Sequence, residues 1–219
     1  MTKPMTVAVE GPAASGKSTV GRLLAAKLGY VFIDSGMLYR LIARKVLLDG
    51  VAPEEEAAVV ALARNLPIQV AEGRLLAAGQ EVDKSSLQTP EVDRTVPLIA
   101  RYAGVREHVR AVQKTVADGG RIVMAGRDIG TVVLPGADLK IFLNVSAEER
   151  ARRRSLDMER LGTPLPLAEI LADIRRRDDL DAHRALSPMK PAPDTVFIDA
   201  DRLTPPEIVE TVLKHLAGR

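Results

Sequence analysis

The segment Gly11-Pro-Ala-Ala-Ser-Gly-Lys17-Ser18 fits the pattern G-x-x-x-x-G-K-[ST], and each position has a chemical reason. Gly11 and Gly16 permit backbone angles that turn successive N–H groups inward, toward phosphate oxygens. A helix opening at Lys17 would add its positive end. Lys17 can reach the β- and γ-phosphates, and the Ser18 hydroxyl can ligate Mg²⁺. The segment therefore predicts binding of a nucleoside triphosphate. A switch GTPase would usually carry an Asn-Lys-x-Asp tetrapeptide, and a motor or transport ATPase an apolar strand ending in Asp-Glu. The chain has neither, which leaves phosphoryl transfer to a small molecule.

Three further clusters could hold the acceptor: Asp34–Arg40 (DSGMLYR), Gly126–Thr131 (GRDIGT) and Arg175–Arg184 (RRRDDLDAHR). Each lies beyond a strand candidate, where open α/β sheets bind ligands. Ser35 could bind a ligand or merely cap a helix, and Arg127–Asp128 could be a site or a structural ion pair. Residues 147–184 contain nine arginines, nine acids and no lysine. Such a neutral stretch is no general basic patch. The exclusive use of Arg suggests planar, forked grips on phosphate or carboxylate, although i,i+4 pairing along a solvated helix would account for about half of them. Gly162–Pro166 reads as the tip of a flap over the transferring phosphate.

The elements that must position these residues follow from periodicity. Thr6–Glu10, Tyr30–Asp34, Arg121–Ala125, Leu139–Val145 and Thr195–Asp199 are short apolar runs of the buried-strand kind. Helices are expected over Lys17–Leu28 (stopped by Gly29), around Leu38–Val46, over Pro90–Tyr102 and from Val105. Others are expected over Ala147–Leu161, Pro166–Asp179 and Pro205–Ala217. Pro67–Ala71 and Leu75–Val82 around Glu72-Gly73 read as a β-hairpin. The expectation is an α/β fold: a doubly wound five-stranded parallel sheet with a phosphate loop, a small insertion (about residues 65–100) and a short arginine-rich lid.

The 219 residues carry a net charge of +2, 3% aromatics, no cysteine and three histidines far apart (His108, His183, His215). Disulfides, zinc-thiolate sites and cysteine nucleophiles are excluded. A surplus of two charges cannot support a duplex-binding footprint, so nucleic acid is not an expected partner. No run approaches the ~20 apolar residues of a membrane span. The start reads directly into a strand with no signal peptide, giving the expectation of a cytoplasmic monomer acting on small molecules.

Taken in order, GPAASGKST, DSGMLYR, GRDIGTVVLPGADLKIFLNVSAEERARRR and RRRDDLDAHRALSPMKPAPD strongly resemble the bacterial cytidylate kinases over nearly the whole chain. These are nucleoside-monophosphate kinases that pass the γ-phosphate of ATP to CMP or dCMP, with Mg²⁺. The resemblance implies that Gly11, Pro12, Ala13, Ala14, Ser15, Gly16, Lys17, Ser18 and Thr19 hold ATP. It puts Ser35 and Arg40 on the CMP ribose and phosphate, and Arg127 on the phosphate. Arg106 and Asp128 would read the cytosine edge, with Asp181 and Arg184 on the sugar and neighbouring phosphate. Arg150, Arg154 and Arg177 would clamp the phosphoryl group in flight. Pro97 stands where some family members have a base-contacting serine. The implied organisation is a core of 1–35, 105–147 and 185–219, a monophosphate-binding segment of 36–104, and a lid of 148–184.

Overall fold

The structure is a computed structural model and describes residues 5–160 and 162–217. Five parallel strands form one sheet: β1 (Thr6–Glu10), β2 (Val31–Asp34), β6 (Ile122–Gly126), β7 (Leu139–Asn144) and β8 (Val196–Asp199), in the order β2-β6-β1-β7-β8. Central β1 sits between two partners in matched register, Val9 beside Ala125 on one side and Ile141 on the other. Val7, Ala8 and Val9 are fully buried, as a strand covered on both faces requires. Alternate side chains serve opposite faces. Val7 and Val9 pack with Val20 and Leu24 of α1 (Lys17–Leu28) and with Ile208 and Val212 of α8 (Pro205–Ala217). Ala8 packs with Ile33, Met124 and Ile129 on the other face.

A separate apolar cluster is built from α2 (Ser35–Leu48), α3 (Glu56–Asn65), β3 (Ile68–Ala71), β4 (Arg74–Ala77), α4 (Pro90–Ile99) and α5 (Ala103–Ala117). The Val stripe of α5 serves both units: Val105 and Val109 belong here, while Val116 packs against the sheet. Finally, α6 (Ala147–Arg160) and α7 (Leu167–His183) lie side by side over a small cluster of Ala151, Ile170 and Ile174. Ala14 of the phosphate loop packs against that cluster.

Several expectations are corrected. Leu75–Val82 is not one strand: Ala78 (φ 49°) and Gly79 (φ 79°) turn the chain into the left-handed region. The result is a three-stranded antiparallel sheet of β3, β4 and β5 (Gln80–Glu81) rather than a hairpin. Helix α3 was not expected; its small apolar residues present only Val59 and Ala63 as buried contacts, a weak signal. The helix expected from Val105 begins at Ala103, the one from Pro90 ends at Ile99, and the one from Pro166 runs Leu167–His183. Leu161, the expected end of the preceding helix, lies outside the described residues, as do residues 1–4. No helix among the described residues is long and apolar enough to cross a membrane.

Candidate active site

The loop after β1 is shaped by its backbone. Gly11 (φ 147°), Ala14 (φ 58°) and Gly16 (φ 87°) all have positive φ. A side chain at Gly11 would put Cβ 2.7 Å from the Leu143 carbonyl oxygen and 2.9 Å from Ser15 Oγ. Helix α1 opens at Lys17 with Gly16 as its N-cap and no side-chain capping bond, so its first N–H groups remain available to an anion. Lys17 Nζ donates to the Pro12 carbonyl at 2.5 Å and to Ser15 Oγ at 3.3 Å. Burial, then the neighbouring Arg127 cation, lowers the Lys17 pKa well below its ordinary value, against the pull of Asp34 and Asp181. An ammonium held that way gains most from a phosphate that supplies the missing negative charge.

This loop forms one wall of a cleft of about 240 Å³ at the C-terminal end of the sheet. Seven cations line it (Lys17, Arg40, Arg106, Arg127, Arg154, Arg177, Arg184) against four acids (Asp34, Asp128, Asp173, Asp181). The surplus of three positive charges exceeds that of the whole chain. The basic character absent from the composition is concentrated here, so the cleft suits polyanions.

At the far end Arg106 of α5, only 2% exposed, donates to Asp128 just after β6 and, at 3.1 Å, to the Ala100 carbonyl. Its guanidinium lies 5.8 Å from the Tyr39 ring centroid. Arg184 lies 3.6 Å from the other Asp128 oxygen and 3.5 Å from Asp181, which also accepts from Arg127. Arg127 and Asp128 thus face different partners rather than each other. Ser35 is not the cap of α2: Asp34 is, its Oδ1 accepting from Gly36 N at 3.0 Å. Ser35 Oγ accepts from Gln113 Nε2 at 2.7 Å, which leaves the hydroxyl proton free to donate.

The nine arginines of 147–184 separate by environment. Arg152, Arg160, Arg175 and Arg176 make exposed ion pairs, mostly at i,i+3 spacing, and such pairs contribute ~1 kcal/mol at most. Arg153 is tied to Glu149 and the Ala200 carbonyl. Arg150 is 4% exposed, bidentate with Asp178 (3.1 and 2.6 Å) and donates to the Ala13 carbonyl. It stands behind the phosphate loop and does not line the cleft. Arg154, Arg177 and Arg184 do. Arg177 and Arg184 have lowered pKa values, through burial first and then the nearby cations Arg127 and Arg106 respectively.

A divalent cation can be tested against the residues present. Among the described residues no group of three or more His, Cys, Asp or Glu could hold a metal alone. Ser18 Oγ donates to Asp34 Oδ2 at 2.6 Å beside the loop. One hydroxyl and one carboxylate, completed by phosphate oxygens and water, is how Mg²⁺ is usually held, so the residues fit it.

Sequence reasoning missed Gln113 and Asp93 as parts of this region, and it placed Tyr39 there only as a member of the Asp34–Arg40 cluster. Gln113 and Arg106 had a signal: they fall seven residues apart on the face of α5 that Val105 and Val109 mark as buried.

The sequence profile described as cytidylate kinase matches residues 7–217. The cytidylate kinase of Desulfitobacterium hafniense is 44% identical over 216 residues, covering 97% of this chain and 93% of that protein. That of Chloroflexus aggregans is 43% identical over 223 residues, covering 98% and 95%. Among solved structures, a shikimate kinase from Bacteroides thetaiotaomicron superposes with a TM-score of 0.53 at 15% identity, covering 98% of this chain and 99% of that one. That likeness concerns the fold alone. With a profile match across nearly all of its length, the chain belongs to the cytidylate kinase family, nucleoside-monophosphate kinases that phosphorylate CMP and dCMP.

Proposed function

We propose that this cleft aligns the γ-phosphate of ATP, gripped by Gly11–Thr19, with a phosphate oxygen of CMP held between Arg40, Arg127 and the Arg106–Asp128 pair. The observation that carries the reading is the buried Arg106–Asp128 pair opening into the same cleft as the phosphate loop. Cytosine presents an N4 amino donor beside N3 and O2 acceptors, and a carboxylate next to a guanidinium complements that edge. Uracil would set a carbonyl against Asp128 and leave a buried acceptor unsatisfied, a mismatch polar sites reject strongly. Val96 and Pro97 line the cleft nearby. With Pro97 offering no hydroxyl, Arg106 and Asp128 carry the discrimination. Ser35, Asp181 and Arg184 are assigned to the sugar and its adjoining phosphate.

A general base is unnecessary, because a phosphate monoester has its second pKa near ~6 and is mostly dianionic at neutral pH. The work of the protein is alignment and charge stabilisation. Lys17 and the cleft arginines Arg154 and Arg177 meet the charge spread over the transferring group. Arg150 acts on it indirectly, by fixing Ala13 and α7. Ser18 and Asp34 would hold Mg²⁺, which when bound neutralises charge on the β- and γ-phosphates. In this reading residues 148–184 form a lid closing on 36–104, water is excluded, and the chain works as a cytoplasmic monomer.

The test is initial-rate ADP formation with CMP, dCMP, UMP and AMP side by side. CMP and dCMP are expected to give much the largest kcat/KM. A preference for AMP, or equal use of UMP, would remove the base-reading role of Arg106 and Asp128.

A further inference from the structure

Asp93, in the first turn of α4, is where three parts of the molecule meet. Its Oδ1 accepts from Arg40 of α2 and lies 3.9 Å from Arg177 of α7; its Oδ2 lies 3.3 Å from Arg154 of α6. All three arginines line the cleft, and all three have been assigned to phosphate oxygens above. Its side chain is 22% exposed, so the contacts are partly sheltered from solvent. An acid in a first helical turn can simply favour the helix dipole. That explanation fits Glu91 equally well, in the same turn, yet Glu91 is solvent-facing and its ion pair is with Arg94, at 3.2 Å, outside the cleft. Within that turn the cleft arginines converge on Asp93 and not on Glu91.

We propose that Asp93 is a positioning residue that stands in for phosphate: its carboxylate gathers Arg40, Arg154 and Arg177 when the cleft holds no phosphate, and yields them when a phosphorylated substrate arrives. The proposal rests on the phosphate reading of the cleft. Three cations around one point repel one another, and an anion among them keeps them in place. A planar carboxylate has one charge and two oxygens, whereas a phosphate monoester has nearly two charges and three free oxygens. Substrate phosphate therefore displaces Asp93 rather than adding to it. Binding becomes an exchange of anions, which lowers affinity for CMP and for the phosphorylated product alike. The same exchange passes Arg154 of α6 and Arg177 of α7 from Asp93 to the substrate phosphate, so both helices stay drawn onto the cleft.

Calorimetric titration of the full chain with CMP, and separately with inorganic phosphate at constant ionic strength, tests this. Asp93→Asn keeps the shape and removes the charge. It is expected to tighten both Kd values about tenfold, the order of one lost charge competing within 4 Å, and to lower KM for CMP without raising kcat. Asp93→Glu should restore values near those of the unaltered chain, and Glu91→Gln should change nothing. Unchanged or weaker binding by folded Asp93→Asn overturns the proposal and makes the carboxylate a scaffold only. In the unaltered chain, the NMR resonance of the Asp93 carboxylate carbon should move on saturation with phosphate. An unmoved resonance overturns the exchange even if no Asp93 variant folds. If the unaltered chain binds neither CMP nor phosphate, the phosphate reading itself fails, a result distinct from normal binding that the Asn variant leaves unchanged.

Discussion

The two ends of the cleft are made differently. The triphosphate end is a stretch of backbone, with Gly11, Ala14 and Gly16 in positive φ and the open end of α1 behind them. Within residues 11–19 the one charged side chain is Lys17. The acceptor end is made of side chains from α2, α5, α7 and the segment after β6, held in ion pairs: Arg106 with Asp128, Arg127 with Asp181, and Arg184 near both acids. A backbone site keeps its shape because dihedral angles fix it. A side-chain site must hold its own charges apart, so it needs internal partners that a ligand then displaces or shares. Mutations should therefore act on chemistry at the first end and on stability together with specificity at the second.

The largest effect is expected at Asp128. Asp128→Ala strands the buried Arg106 guanidinium, and breaking such a pair costs about 3–5 kcal/mol, a large share of the total stability of a domain. Chemical denaturation measures it. Asp128→Asn retains an acceptor and adds a donor that suits the uracil carbonyl, so the ratio of kcat/KM for CMP over UMP should fall. A ratio that stays put means Asp128 does not face the base. Lys17→Met acts in the opposite manner. Loss of a charged donor to the transferring group lowers kcat by roughly 10²–10³. Stability stays level or rises, because the buried ammonium whose pKa is already depressed no longer has to be accommodated. A large loss of stability in Lys17→Met would erase the distinction between the two ends.

The same contrast explains what could be read from the chain in advance. The triphosphate end is contiguous, its residues are dictated by backbone geometry, and the motif carries both its position and its chemistry. The sheet was equally legible, since strands buried on both faces leave uninterrupted apolar runs such as Thr6–Glu10. The acceptor end was legible only as clusters, because the partners of Asp128 lie 22 and 56 positions away. Spacing could not say that Arg127 would choose Asp181, that Arg150 would turn behind the loop to Asp178, or that Asp93 would collect three arginines. Those choices depend on how helices cross. The break in Leu75–Val82 was missed for another reason: Ala78 adopts a left-handed conformation that its residue type disfavours, so only Gly79 marked the turn.

Glu10, the last residue of β1, lies where the two ends meet and offers a sharper probe. It is fully buried, its Oε1 accepts from Gly130 N at 3.1 Å, and among the described residues Oε2 has no hydrogen-bond donor within reach. Burial raises its pKa to about 7, reinforced by the charge of Asp128 and opposed by the Gly130 and Ile129 N–H groups and Lys140. An acid whose pKa rises on folding keeps its proton in the folded chain while the unfolded chain loses it. Its contribution is therefore intact below the unfolded value near 4.5 and is lost as pH climbs toward 7. The loss is about 3 kcal/mol, at 1.4 kcal/mol per unit. Between pH 4.5 and 7.5 the unfolding free energy of Glu10→Gln should fall less steeply than that of the unaltered chain. Parallel pH profiles would place the proton elsewhere.

The smallest effect is expected where the two ends share a device and use it in opposite ways. Helix α1 leaves its first turn uncapped, so its N–H groups can meet phosphate. Helix α4 closes its first turn: Thr89 Oγ1 accepts from Val92 N at 3.3 Å, and Pro90 brings no N–H to satisfy. That closed turn carries Asp93, and the next one carries Val96 and Pro97 on the cleft wall. Thr89→Ala should cost about 1 kcal/mol, the usual worth of a threonine cap, measured as a lower denaturation midpoint with unchanged slope. Its kinetic trace should be a modest change in KM for CMP, because the wall of the acceptor pocket loosens, with KM for ATP unmoved. If KM for ATP shifts as much as KM for CMP, α4 and the phosphate loop respond as one body, and the independence of the two ends is lost.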